Sequence, residues 1–511
     1  MHGHLPGNVV VHNSFVTKPV KELSRNRKVA ILATCCLSLL IVSMDATIVN
    51  VAIPSIRSDF EATPTELQWV IDVYTLVLAS LLMLAGTTAD RFGRRRVFQI
   101  GLMLFALSSL LCSLAPNVEV LIAARFLQAV GGSMLNPVAM SIITQTFSGR
   151  VERARAVGVW GAVVGVSMAL GPIVGGVLID LFSWQSVFLI NLPICLIAVI
   201  ATIVVVPESK SQRVRGLDPI GQGLAITFMA GVVIGLIEGP GMGWTDRLTI
   251  GIFVVAIVAF GGFCAYELRR TDPFIELRFF RSIPFSAATV TGICAFAAYG
   301  AFLFMMSIYL QGIRGYSPVE TGLMFLPIAI GTIICSPLSG RLVGRYGTRP
   351  SLVFAGVMLA AASSLLTQLG PSTPNWQMLI VFGMFGIGFG TVNAPITTAA
   401  VSGMPRERAG AASAIASTSR QLGTSVGVAL SGAIAGSVIA AGPDSPVSVS
   451  AMAPLWWVTA GLALTIAVLG IFSTTEASAR TTSRVAGLFA ESDEKPIVQP
   501  THHTPTGGRS R

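Results

Sequence analysis

Between residues 13 and 501 this chain contains no histidine; all five, His2, His4, His12, His502 and His503, lie in its polar ends. Any proton carried through the interior must therefore travel on carboxylates. Charge is scarce as well. Asp, Glu, Lys and Arg make up 11% of 511 residues against 53% hydrophobic ones, which excludes an ordinary soluble protein. No Gly-x4-Gly-Lys-Ser/Thr stretch occurs, so ATP hydrolysis on this chain is not expected. The seven cysteines, Cys35, Cys36, Cys112, Cys195, Cys264, Cys294 and Cys335, fall in or beside apolar runs without histidines at metal-ligand spacing. They read as small buried hydrophobes, and no metal, cofactor or enzyme chemistry is expected.

What the chain does have is apolar runs. They fall near 29–53, 66–88, 97–116, 119–143, 155–180, 185–206, 219–238, 248–267, 284–312, 318–340, 351–370, 376–402, 410–440 and 454–473. Runs of this length with few charges read as membrane spans. The expectation is an all-α polytopic membrane protein with 14 transmembrane helices. A net charge of +10 would suit a nucleic-acid partner, but the bases recur in short clusters such as Arg91–Arg96, Arg150–Arg155 and Arg341–Arg349, between apolar runs. The loops between those clusters carry acids instead, such as Asp59, Glu61 and Glu119. That alternation is the positive-inside pattern, so the bases set orientation and no nucleic acid is expected. Both termini then lie in the cytoplasm and the bilayer is the cell membrane. The polar start lacks a small-residue cleavage site, so the first run reads as a span.

The chain repeats itself. Gly86-x3-Asp90-Arg91-x-Gly93 recurs as Gly340-x3-Gly344-Arg345-x-Gly347 at an offset of 254 residues. Glu152-Arg153-Ala154 recurs as Glu407-Arg408-Ala409, and Leu121-Ile122 with Gly132 and Pro137 recurs as Leu379-Ile380 with Gly390 and Pro395. Three matches in order at nearly one offset indicate two homologous six-helix bundles, 29–206 and 284–473, with two helices inserted in a linker, 207–283. Residues 1–28 read as a cytoplasmic tail and 474–511 as a disordered one.

These stretches resemble signatures of the major facilitator superfamily, in its fourteen-span drug:proton antiporter branch. Gly86–Arg96 is similar to the superfamily's loop between spans 2 and 3. Leu121-x3-Arg125-x2-Gln128 is similar to its fourth-span signature, and Gly171-Pro172-x2-Gly175-Gly176 to the fifth-span antiporter motif. Met44–Pro54 resembles the first span of the fourteen-span branch, and Ser167 departs from the glycine usual in the fifth. The resemblance implies alternating access between two halves. Gly86, Asp90, Arg91, Gly93 and Arg94 are then gating residues, and Gly171, Pro172, Gly175 and Gly176 a pliable contact between halves.

Ionisable groups inside spans are costly and are functional candidates by default. Asp45 lies roughly 13 Å from the outer end of span 1, and Asp72 and Arg125 each about 9 Å deep, at 1.5 Å per residue. All three thus share the outer half of the first bundle, where an Asp–Arg pair would lower the cost of burial. They are expected to carry proton coupling and cation binding, Arg125 tuning a carboxylate or simply pairing with it. Asn50, Gln128, Asn136, Tyr299, Phe302, Met306 and Arg420 are candidate cavity residues. Arg420 lines the cavity if its helix starts near Gly410, and snorkels to the interface if it starts near Ser419. Asp180, Glu238, Glu267 and Glu320 fall at span ends and read as solvated. The expected partners are protons, the lipid bilayer and small hydrophobic or cationic substrates. An exporter of an endogenous lipid, metabolite or peptide, and a non-transporting scaffold or sensor, are the alternatives.

Overall fold

Two capping boxes start matching helices in the two halves. Thr63 caps through the backbone N–H of Glu66 while the Glu66 carboxylate accepts from the Thr63 N–H, and Ser317 and Glu320 repeat the arrangement. Proline follows the cap in both, where its missing N–H costs nothing. A computed structural model describes residues 24–147, 149–210, 218–270, 275–402, 409–441 and 450–493.

Within them the first half is α1 (Arg25–Phe60), α2 (Pro64–Phe92), α3 (Arg94–Ser113), α4 (Val118–Ser133) running into α5 (Leu135–Thr146), α6 (Arg150–Leu181), and α7 (Ser186–Leu189) running into α8 (Asn191–Val205). The insertion is α9 (Pro219–Met242) and α10 (Arg247–Glu267). The second half is α11 (Ile283–Ile308), α12 (Pro318–Met324) running into α13 (Leu326–Tyr346), α14 (Thr348–Leu366), α15 (Asn375–Val401), α16 (Ala409–Ala441) and α17 (Ala453–Phe472). No strand occurs among the described residues. Twelve helical stretches there are long and apolar enough to cross a membrane. The other two expected runs are present as α6 and α16, helices of 32 and 33 residues.

One expectation fails. Residues from 474 do not begin a disordered tail, because Glu476–Asp493 forms a further helix, α18. Apolar contact and capping hold it. Val485 is buried against Phe279 and Phe285, and the Thr481 hydroxyl accepts from the Ile283 N–H at 3.1 Å. Residues 1–23 and 494–511, with the remaining histidine-bearing ends, lie outside the described residues.

The sharp turns at the bases of the two halves also match. Gly93 and Gly347, equivalent in the repeat, are both at positive φ, +113° and +78°, where a side chain is strained. Gly86 and Gly340 each pack beside the next pair's helix, facing Pro137 and Ala394. The internal duplication is therefore carried by backbone geometry as well as by sequence.

The second half is built on α11, which is buried along nearly its whole length. Phe302 there packs against Phe325, Phe382, Phe385 and Trp456. In the first half α6 lies tightly on α1, since Gly171 and Gly175 leave room for Thr47 and Ile48. The halves meet through α6 with α12 and α13, through α2 with α16, and through α1 with α11. Gly176 faces the Pro318 carbonyl and Gly322 the Pro172 carbonyl, so backbone touches backbone there. Gln311 Nε2 adds a bond to the Val51 carbonyl at 3.0 Å. These approaches lie toward the end of the bundle opposite the Gly86–Arg96 turn.

The inserted α9 packs on α10 and on both α2 and α16, so it covers the seam between halves. Trp69 Nε1 donates to Glu238 Oε1 at 2.8 Å, and Glu267 is buried beside Gly221. Neither acid is simply solvated. Glu238 ties α9 to α2, and Glu267 at the end of α10 fills the space that Gly221 leaves on α9.

Candidate functional site

Span 4 supplies Arg125 and Gln128 one helical turn apart, so both point the same way into the first half. Arg125 has no exposed surface, and its Nη1 donates to Asp45 Oδ2 on α1 and, at 2.6 Å, to Gln128 Oε1. Its Nε donates to the Val70 carbonyl at 3.0 Å, and the guanidinium stacks 4.1 Å from the centre of the Tyr74 ring. The other Asp45 oxygen accepts from Gln128 Nε2 and Asn191 Nδ2, each at 2.9 Å, and both amides also reach Ser109 Oγ. This is a closed polar knot tying α1, α2, α3, α4 and α8. Every charge in it has a partner, as a buried pair requires.

The expected company of Asp45, Asp72 and Arg125 therefore divides. Asp45 and Arg125 pair; Asp72 does not join them. Asp72 is on α2 with no exposed surface, and among the described residues no base pairs with its carboxylate, whose polar neighbours are hydroxyls. It lies beside Thr75 and Ser425, whose hydroxyls are 2.5 Å apart across the seam between α2 and α16. Spacing along the helix separates the two acids. Asp72 follows Val70, whose carbonyl holds Arg125, by two residues, which turns it to another face of α2.

The knot includes three residues that the sequence reading missed: Asn191, Ser109 and Tyr74. Asn191 carried a signal, being the one amide in the apolar run 185–206 after Gln185. Ser109 and Tyr74 carried none, because isolated hydroxyls are common in spans.

The other candidate residues are dispersed. Asn50 is buried and bonds back to the Ala46 and Thr47 carbonyls, leaving its Oδ1 without a partner. Asn136 Oδ1 is likewise buried and unpartnered. Gln128, Phe302 and Met306 have no exposed surface, so they are not cavity-lining. Gln128 is consumed by the ion-pair knot, and the two apolar residues fill the second half's core. Tyr299 stacks on Phe389 with centroids 4.2 Å apart. Arg420 stands eleven residues inside α16, which begins at Ala409, and it is half-buried against Phe296. It is no interface residue.

At the basic turn, Asp90 accepts from Arg94 Nη2 at 2.7 Å and Nε at 3.0 Å, within its own half. Gly93 lets the chain turn from α2 into α3, which has no side-chain cap of its own. Glu208, from beyond α8, supplies one by accepting from the Arg95 N–H at 3.2 Å, and the Ser209 carbonyl accepts from the Arg94 N–H at 3.0 Å. A carboxylate at a helix N-terminus is favoured by the dipole. Arg91 is exposed.

The sequence pattern of the Major Facilitator Superfamily matches residues 35–428. The multidrug resistance protein Stp of Mycobacterium tuberculosis (strain CDC 1551 / Oshkosh) is 37% identical over 414 residues, covering 81% of this chain and 76% of that one. The tetracenomycin C resistance and export protein of Streptomyces glaucescens is 34% identical, covering 80% and 76%. The methylenomycin A resistance protein of Streptomyces coelicolor is 36% identical, covering 81% and 86%. Among solved structures, a bacterial homologue of the human drug peptide transporters PepT1 and PepT2 has the same fold, with a TM-score of 0.59 at 13% identity, covering 90% of this chain and 99% of that one.

Proposed function

The chain belongs to the Major Facilitator Superfamily, and we propose that it is a proton-coupled antiporter exporting lipophilic, chiefly cationic, compounds. It is a transporter with relatives named for antibiotic resistance and efflux. On this reading it crosses the cytoplasmic membrane fourteen times, α6 and α16 included, with both termini inside.

Asp72 carries the proposal. An ionised carboxylate buried beside two hydroxyls and no base is expensive, and a proton or a bound cation removes that expense. Asp72 sits on α2 at the seam with α16, where relative motion of the halves changes its surroundings. A proton taken up on one side and released on the other then drives the cycle, and a substrate cation competes for the same carboxylate. Asp45 has another task. Saturated by Arg125, Gln128 and Asn191, it holds the first half rigid so that the half moves as one body.

Proteoliposomes holding the full chain and a cationic dye test this under an imposed pH gradient. Efflux that collapses with an uncoupler is the expected result; efflux indifferent to the uncoupler would make the protein a passive facilitator.

A further inference from the structure

Two arginines face one hollow where the chain enters the second half. Arg281 ends the short 3₁₀ turn Leu277–Arg281, two residues before the apolar stretch that starts at Ile283. Arg484 comes from α18. Together with Thr481 and Val485 they line a hollow of about 430 Å³, ample for a phosphodiester.

Packing of α18 sets the walls. Val485 is buried against Phe279 and Phe285, and the Ser282 and Thr482 hydroxyls stand 3.4 Å apart. The Thr481 hydroxyl accepts from the Ile283 N–H at 3.1 Å and donates its one hydrogen to the Ser478 carbonyl at 2.7 Å. Donation into the hollow therefore falls to the two guanidinium groups. Among the described residues neither arginine pairs with a carboxylate, and both are exposed. Glu276, on the same segment, is engaged by Arg278 at 3.6 Å. Like charges bordering one space repel, and an anion between them turns that repulsion into attraction.

The surroundings say which anion fits. Ile283–Ile313 is long and apolar enough to cross a membrane, which puts Arg281 at headgroup depth. Phe280 and Ile283, on either side of Arg281, are 39% and 43% exposed. Val290, two turns further along α11 on the same face, is also exposed. An apolar strip thus leads from the hollow toward the hydrocarbon layer. A soluble anion makes no use of that strip, whereas a phospholipid uses both the charge and the strip.

We infer that this hollow binds an anionic phospholipid, its phosphate held between Arg281 and Arg484 and an acyl chain lying along Ile283 and Val290. The planar forks of two guanidiniums suit phosphate oxygens. Since α18 forms one wall and the head of α11 the other, the lipid pins the two together. The inference needs only that α11 crosses a bilayer, so it stands or falls apart from antiport.

The test is equilibrium binding to the purified full-length protein in nonionic micelles. The probes are phosphatidylglycerol and phosphatidylcholine with the same fluorescent acyl chain. The wild type should prefer phosphatidylglycerol. Arg281→Gln and Arg484→Gln should each weaken its binding about fivefold, and the two together roughly 25-fold, as expected for a basic residue beside an anionic lipid. Arg281→Lys with Arg484→Lys, which keeps charge but loses both forks, should weaken it about threefold. Arg341→Gln with Arg349→Gln, at exposed arginines of another basic turn, should leave it unchanged. Equal binding of the two lipids by the wild type overturns the inference. So does an equal loss in the Arg341/Arg349 variant, which would mean diffuse attraction to basic loops. Inorganic phosphate at matched ionic strength should not displace the lipid; displacement as strong as by phosphatidylglycerol itself would make the occupant a soluble anion. Should the glutamine variants not elute as monodisperse species, the lysine pair and the Arg341/Arg349 variant decide, an undiminished affinity in the lysine pair counting against the site.

Discussion

Thr75 on α2 and Ser425 on α16 bring their hydroxyls to 2.5 Å of each other across the boundary between the two halves. One turn along α2 lies Asp72, buried beside these two hydroxyls. Among the described residues, this acid deep in a span with no base to neutralise it sits beside a bond that must break if the halves separate at that end. On the proposed cycle the uncompensated carboxylate lies on the moving surface, and the compensated one, Asp45, inside a body that moves as a unit.

Asp72→Asn and Asp45→Asn should consequently fail in different ways. Asp72→Asn should leave thermal stability unchanged or raised while abolishing gradient-driven dye efflux. Asp45→Asn should cost roughly 3–5 kcal/mol, because it strands the Arg125 charge in a buried site. Unfolding monitored by temperature-dependent fluorescence, alongside efflux, separates them. Equal stability losses would sink the distinction between a working and a structural carboxylate.

The hydroxyl pair gives a direct handle on the cycle. With both residues replaced, Thr75→Cys and Ser425→Cys, in a background whose native cysteines are removed, oxidation should form a cross-link that stops efflux. Reductant should restore it. A cross-linked protein that still transports would mean that this seam does not open.

Gly93 has positive φ and the Glu208 carboxylate against its open side. Gly93→Ala should therefore lower stability by about 1–3 kcal/mol, from backbone strain, and loosen the tie between α3 and the segment after α8. Gly347→Ala, which has nothing within 4 Å of the added methyl, should suffer the strain alone. Melting temperatures of the two variants give the comparison, and an equal loss would show that Glu208 contributes nothing at Gly93.

Asp90 is paired with Arg94 within its own half. Its repeat counterpart is Gly344, so the acid serves one half only. Asp90→Asn should fold with only a modest loss of stability, about 1 kcal/mol, since Asp90 is more than a third exposed although Arg94 is buried. It should nonetheless slow efflux, if Asp90 exchanges Arg94 for a partner across the seam when that end closes. Normal transport rates would reduce Asp90 to a local helix contact.

Much of this architecture was legible without coordinates because hydrophobic run length and basic loops follow from the bilayer itself, not from tertiary packing. The duplication was legible for a similar reason. Gly86, Gly93 and Pro137 have matches in Gly340, Gly347 and Pro395 because identical turns need identical backbone freedom. What the sequence could not order was the set of ionisable groups. Asp45, Asp72 and Arg125 share one depth, and depth depends only on residue count. Which acid meets the arginine depends on the rotation of α1, α2 and α4 about their axes, which packing of α3 and α8 decides. The same holds for Phe302 and Met306, enclosed in the second half's core, and for Arg420, set against Phe296 well inside α16. The sequence by itself determined a duplicated membrane transporter with few internal charges. Only the tertiary structure decided which of those charges meet one another, as Asp45 and Arg125 do, and which, such as Asp72, have no base beside them, because that depends on how each helix is turned against its neighbours.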